Sequence, residues 1–129
     1  MVDLYARAVF KFSSKGSVGV WGHVLQNLDS EGPYQDKDTG YGAAAWVTYD
    51  KFMFDVLYKH VEANASPGFI ADSDSTYVNR KGWQFDARYQ MWAYGWVVLS
   101  YYNTEPEDDS IPGAANKSQT FFVNTYFKF

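Results

Sequence analysis

Apolar and polar side chains alternate along most of this chain, the period-two signature of β-strands with one greasy face and one wet face. Seven runs carry it. In Leu4 to Phe12, Leu4, Ala6, Ala8, Phe10 and Phe12 oppose Tyr5, Arg7, Val9 and Lys11. In Ser17 to Leu28, Val18, Val20 and Val24 oppose Trp21, His23 and Asn27. Thr39 to Tyr49 sets Tyr41, Ala43, Ala45, Val47 and Tyr49 against Gly42, Ala44, Trp46 and Thr48. Phe52 to Glu62 sets Phe52, Phe54, Val56 and Tyr58 against Asp55 and Lys59. The alternation is cleanest in Lys81 to Met91, where Trp83, Phe85, Ala87, Tyr89 and Met91 oppose Gln84, Asp86, Arg88 and Gln90. Trp96 to Asn103 is apolar on both faces, which leaves its register open. Thr120 to Phe129 sets Phe121, Val123, Thr125, Phe127 and Phe129 against Thr120, Phe122, Asn124, Tyr126 and Lys128.

The connections alternate as well. Ser13 to Gly16, Asp50 with Lys51, and Trp92 to Gly95 are tight, whereas Asp29 to Asp38, Ala63 to Arg80 and Thr104 to Lys117 are long, acidic and rich in Gly, Pro, Ser and Asn. Short turns at one end and long loops at the other are the habit of bacterial outer-membrane barrels, with the short turns periplasmic. The pattern predicts an all-β fold, a transmembrane antiparallel up-and-down β-barrel domain spanning residues 1–129.

Composition sharpens this. Five Trp, eleven Tyr and ten Phe make up 20% of the 129 residues, and large amphipathic rings favour the boundary between apolar and wet surroundings. They gather at the strand ends: Tyr49, Phe52, Trp92, Tyr94 and Phe129 near the short turns, Tyr41, Trp83, Tyr101 and Phe121 near the long loops. Tyr41 to Tyr49 spans about 26 Å at roughly 3.3 Å per residue. That is close to an apolar band of about 25 Å, so two aromatic girdles are expected.

No stretch approaches the run of about 18 apolar residues that a transmembrane helix needs. The negative mean hydropathy does not exclude a membrane, because a barrel strand needs only every second residue apolar. Met1 to Phe10 lacks the apolar core of a signal peptide, as expected of a mature chain. A soluble up-and-down barrel or sandwich with an aromatic core is the alternative, since alternation alone does not say which face is inside.

Net charge is −4 with no basic run, so a nucleic-acid partner has no electrostatic footprint. The chain has no Cys, hence no disulfide and no thiolate metal or redox site. The polar faces carry Arg7, Lys11, Lys59, Arg88 and Lys128 against Asp55 and Asp86. With Gln84, Gln90 and Asn124 these are the expected pore-lining residues, and Asp55, Lys59, Asp86 and Arg88 could form a cross-strand ladder that biases ion passage or merely solvates the wall. The acidic loops offer oxygen ligands for Ca²⁺ at Asp72 and Asp74, without EF-hand spacing, and bridging to lipopolysaccharide by divalent ions is the blander expectation. His23 and His60 lack a second ligand at metal spacing. His60 with Asp72, Ser73 and Asp74 is the one set resembling a hydrolytic site, and nothing aligns it. No enzymatic activity and no cofactor are expected.

Closed single-chain bacterial barrels have an even number of strands with both ends periplasmic. Seven runs break that parity. Either a strand is hidden in the sequence, or the chain supplies the C-terminal part of a larger barrel whose other strands lie in another chain or upstream.

Tyr58-Lys59-His60-Val61-Glu62-Ala63-Asn64-Ala65, Ala71-Asp72-Ser73-Asp74, Lys81-Gly82-Trp83 and Ser100-Tyr101-Tyr102-Asn103 stand in order along the chain. Together they resemble the C-terminal part of a bacterial porin family, outer-membrane β-barrels in which a Y-x-x-x-E-x-N-A strand end, a D-S-D loop and a K-G-W strand start precede the last hairpin. The final Phe127-Lys128-Phe129 resembles the closing strand of outer-membrane proteins in general. The resemblance implies a passive water-filled channel for small hydrophilic solutes or ions in the outer membrane of a Gram-negative bacterium. Its partners would be lipid, lipopolysaccharide and further barrel strands or chains, with an oligomer possible. A structural barrel component that encloses a partner is the other function these residues allow.

Overall fold

The computed structural model describes residues 1–29, 32, 34–65, 78–112, 114 and 116–127. Seven strands follow one another: β1 (Val2–Lys11), β2 (Gly16–Gln26), β3 (Thr39–Tyr49), β4 (Phe52–Val61), β5 (Arg80–Trp92), β6 (Gly95–Pro106) and β7 (Ser118–Phe127). They form one antiparallel sheet in sequence order, and no helix occurs among the described residues. Every pairing is between chain neighbours, so β1 and β7 are both edges and the sheet is not closed.

The expected runs and the observed strands differ by at most three residues at either end, and β3 coincides with its expected span. In β6, where the sequence left the face open, pairing decides it. Leu99 stands opposite Ala87 and Val123, whereas Ser100 stands opposite Asp86 and Phe122. A register shift between Gln90 and Trp92 brings Trp92 opposite Gly95, which itself faces Phe127. The Trp92 and Phe127 rings consequently meet at 5.7 Å on the apolar face. An extra residue in a strand re-aims a side chain in this way.

Register turns seven alternating strands into one two-sided sheet. Phe10, Val18, Val47, Phe54, Ala87, Leu99 and Val123 line up as an unbroken apolar row across all seven strands. The adjacent row on that face, Ala8, Val20, Ala45, Val56, Phe85, Tyr101 and Phe121, is interrupted only by one phenol hydroxyl. A slip of one residue between two strands would turn the apolar set of one onto the polar face of the other, which is why a one-sided pattern fixes register so firmly.

The two faces differ in crowding. Leu57, Asp86, Val98, Ser100 and Thr104 are buried, and all five lie on the polar face. On the apolar face Leu4, Phe10, Val123 and Phe121 are exposed. Side chains crowd on the inside of a curved sheet and splay on the outside, so the polar face has the environment of the inner one. No large apolar side chain is fully buried among the described residues. The buried apolar side chains among the described residues are Leu57, Ala65 and Val98, a small set for seven strands.

Turns and loops sort to opposite ends as expected. At the short end, Asp50 N–H donates to the Lys15 carbonyl at 2.9 Å, tying the second turn to the first, and Gln90 N–H donates to the Lys51 carbonyl at 2.9 Å, tying the second turn to the end of β5. Asp50 supports its two-residue turn with a left-handed backbone, φ 51°. At the long end Asn64 joins two loops, its backbone N–H donating to the Lys37 carbonyl at 2.7 Å and its side chain to the Tyr34 carbonyl at 2.8 Å.

Candidate functional site

The densest charge on the polar face sits at mid-sheet. Asp55 on β4 pairs in register with Asp86 on β5, flanked by Trp46 on β3 and Ser100 on β6. Period two gives each strand one inward carboxylate here, and register sets the two side by side. Like charges in directly opposed positions destabilise a sheet. Arg88 offsets part of the repulsion, with Nη2 3.7 Å from Asp55 Oδ1 and 3.7 Å from Asp86 Oδ2. Gln84, two residues along the same face, donates to Asp86 Oδ2 at 2.9 Å. The Asp86 side chain is 5% exposed and that of Asp55 14%. Oδ1 of each accepts no hydrogen bond.

Towards the short turns a groove of about 590 Å³ opens beside this pair, with Gln84, Asp86, Arg88, Ser100, Tyr102 and Asn124 among its lining residues. On the β1 side Arg7 lies over the Trp46 ring, 4.8 Å from its centroid. A guanidinium so placed is attracted by the ring's negative face.

The residues expected to line a pore thus fall on one face: Arg7, Lys11, Asp55, Lys59, Gln84, Asp86, Arg88, Gln90 and Asn124. Lys128 lies outside the described residues. The expected ladder is only partly assembled. Asp55, Asp86 and Arg88 come together, whereas Lys59 pairs with Gly42 and Gly82, four residues along β4 from Asp55. Of the expected girdle, Tyr49 and Phe52 pair at the short-turn end, with Tyr89 beside Phe52 at 4.8 Å between rings. Tyr41 and Trp83 stand towards the other end, each against Tyr58, whose ring is 5.0 Å from that of Trp83. Trp92 and Tyr94 are exposed beyond the short-turn rows. Phe129 lies outside the described residues. Tyr58 and Tyr89 belong to these belts but were missed as members, because a tyrosine's place in a belt depends on its neighbours across the sheet.

A second cluster lies at the long-loop end. Lys37 Nζ is 3.7 Å from Glu107 Oε2 and 3.7 Å from Asp108 Oδ2, linking the loop before β3 to the loop after β6. Glu107, followed by Asp108 and Glu62 in effect, raises the Lys37 ammonium above its ordinary pKa. Asp108 is held below the usual carboxylate range, first by the Ser110 hydroxyl and backbone N–H that donate to it and then by Lys37. Donor atoms of His60, Glu62 and Glu107 lie within 4.8 Å of one another, a nitrogen and two oxygens of the kind that hold a zinc-like ion. Lys37 already places positive charge against Glu107, and His60 stacks on Tyr41 at 4.7 Å. Sequence reasoning missed this grouping because Glu107 arrives from a different loop. The calcium candidates Asp72 and Asp74, and with them the hydrolytic set around Ser73, lie outside the described residues. His23, isolated in the sequence, hydrogen-bonds Asp3 at 2.7 Å.

Arg80, buried where β5 begins, donates to the Thr104 hydroxyl at 2.6 Å, the Ser118 hydroxyl at 3.1 Å and the Asn116 carbonyl at 3.3 Å. It pins the long-loop ends of β5, β6 and β7 together. No protein-family model, no curated protein and no solved structure matches this chain, so its sheet geometry is what speaks to function.

Proposed function

We propose that this chain is a segment of an outer-membrane β-barrel wall, its apolar face against lipid and its polar face lining a water-filled passage for small hydrophilic solutes or ions. One observation carries the reading: two apolar rows, broken by no more than the Tyr101 hydroxyl, cross all seven strands on the exposed face, and no described element covers them. In water an apolar patch of that extent is a liability. In a bilayer it is a requirement. The sorting of short turns from long loops and the aromatic belts above and below the rows support the same reading.

The open edges say what the wall still needs. Unpaired backbone groups at β1 and β7 are costly in hydrocarbon, so both edges must meet further strands. In an alternating sheet β1 and β7 run in the same direction, being first and seventh. Full antiparallel closure then takes an odd number of added strands, beginning and ending in the opposite direction. A second copy inserted the same way round would leave parallel seams instead.

Planar-bilayer recording of the detergent-extracted protein, purified with whatever strands accompany it, tests the proposal. Stepwise conductance is the expected result. Membrane-embedded protein without conductance would replace the channel by a barrel component that encloses a partner, and solubility without detergent would remove the membrane reading altogether.

A further inference from the structure

We infer that Asp55 and Asp86, with Ser100 and Gln84 beside them, form a binding station for a hard, oxygen-seeking cation on the polar face of the sheet. The inference deepens the channel reading by naming a class of ion, and it rests on that reading only for the water that would reach the site.

Charge is the first argument. Two carboxylates stand side by side with one guanidinium, which leaves one formal negative charge in a crowded part of the sheet. Burying a charge is costly unless something pairs with it. Arg88 is a loose partner: 3.7 Å is well beyond the roughly 2.7–2.9 Å of a charge-assisted hydrogen bond, and its side chain is 43% exposed.

Unused oxygens are the second. Asp86 is nine-tenths buried, yet its Oδ1 accepts no hydrogen bond, and neither does Oδ1 of Asp55. Ser100, directly opposite Asp86 and itself buried, makes no side-chain hydrogen bond to another described residue. Gln84 gives its amide N–H to Asp86, which leaves its carbonyl oxygen free of that contact. Carboxylate, hydroxyl and amide oxygens with no thiolate or imidazole among them suit calcium-like or alkali cations over zinc-like ones. Gln84, Asp86 and Ser100 also line the groove beside the pair, which supplies an approach.

Trp46 makes the station measurable. It pairs in register with Asp55, so its indole is close enough to sensitise a lanthanide held there. The experiment is a titration of the detergent-solubilised protein with Tb³⁺ at neutral pH, exciting Trp and reading terbium emission, with Ca²⁺ as competitor. A saturable emission that Ca²⁺ displaces is expected. Loss of an outer partner weakens a metal site by about 10–100-fold, so losing a ligand in Asp86→Asn or Asp55→Asn should weaken Tb³⁺ binding at least about tenfold. Ser100→Ala, a milder change that leaves the charges in place, should weaken it less. Arg88→Gln should tighten it by removing the competing cation, a result that general damage to the sheet would not produce. Asp108→Asn, in the distant loop, should leave it unchanged. Equal Tb³⁺ affinity in the wild type, Asp55→Asn and Asp86→Asn, or weaker binding in Arg88→Gln, would overturn the inference. Emission without bilayer conductance keeps the station and removes the channel; conductance without emission does the reverse.

Discussion

The indole of Trp46 occupies the space that a Cβ on Gly19 would need, directly across the β2–β3 pair. That glycine lets the ring lie down on the polar face, where Arg7 covers it and Asp55 stands on its other side. Gly19→Ala should therefore cost about 1–3 kcal/mol by overpacking. Gly82→Ala should cost more, because the obstacle there is the β6 backbone at Asn103 and Thr104, which cannot swing aside. Gly22→Ala meets nothing and should change stability by less than about 0.5 kcal/mol. Urea unfolding of the lipid-reconstituted protein, followed by Trp fluorescence, ranks the three.

Depth dependence tests which face meets lipid. Leu99 lies in a central apolar row and Tyr49 in the row beside the short turns. Leu99→Arg should cost about 2–4 kcal/mol and Tyr49→Arg about 0–1 kcal/mol, as for charges at the midplane and the interface of a bilayer. Equal penalties in the same unfolding assay would contradict a lipid-facing surface.

Asp50 adopts φ 51°, where a side chain with a branched Cβ is strained. Asp50→Val should destabilise the β3–β4 hairpin by at least about 1–2 kcal/mol. Asp50→Gly should be neutral or slightly stabilising, and the yield of folded protein on dilution from urea into vesicles separates the two.

The loop tie through Lys37 has a pH window with two limbs. Asp108 has a lowered pKa, so the stability it lends is present above the ordinary carboxylate range and is lost as pH falls through its lowered folded value. Lys37 has a raised pKa, so its share is present below the ordinary lysine value and is lost as pH rises through the raised one. Amide protection at residues 34–37 and 107–110, taken relative to the intrinsic exchange rate at each pH, should be highest between these limits. Ser110→Ala removes the hydroxyl that holds Asp108 low, and the acid limb should shift upward; an unmoved limb would assign the protection to backbone contacts alone.

Strand spans, the facing of six of the seven strands and the sorting of turns from loops were legible in the sequence, because period two is a local property that each segment carries alone. Trp96 to Asn103 shows the limit of that property. With apolar side chains on both faces it has no period to read, and only its pairing with β5 and β7 decided that Ser100 stands beside Asp86. The bulge that turns Trp92 onto the apolar face was equally hidden, since one inserted residue leaves no mark on composition.

The sequence by itself therefore determined that this chain makes amphipathic strands with charge on one face and rings at the ends. Tertiary structure decided what meets what: Asp55 with Asp86, Lys37 with Glu107, His60 with Tyr41, and β1 with no partner across from β7. The physical reason is that register across a sheet is a collective result of every apolar row aligning at once, so a residue's face is written locally while its neighbour is not.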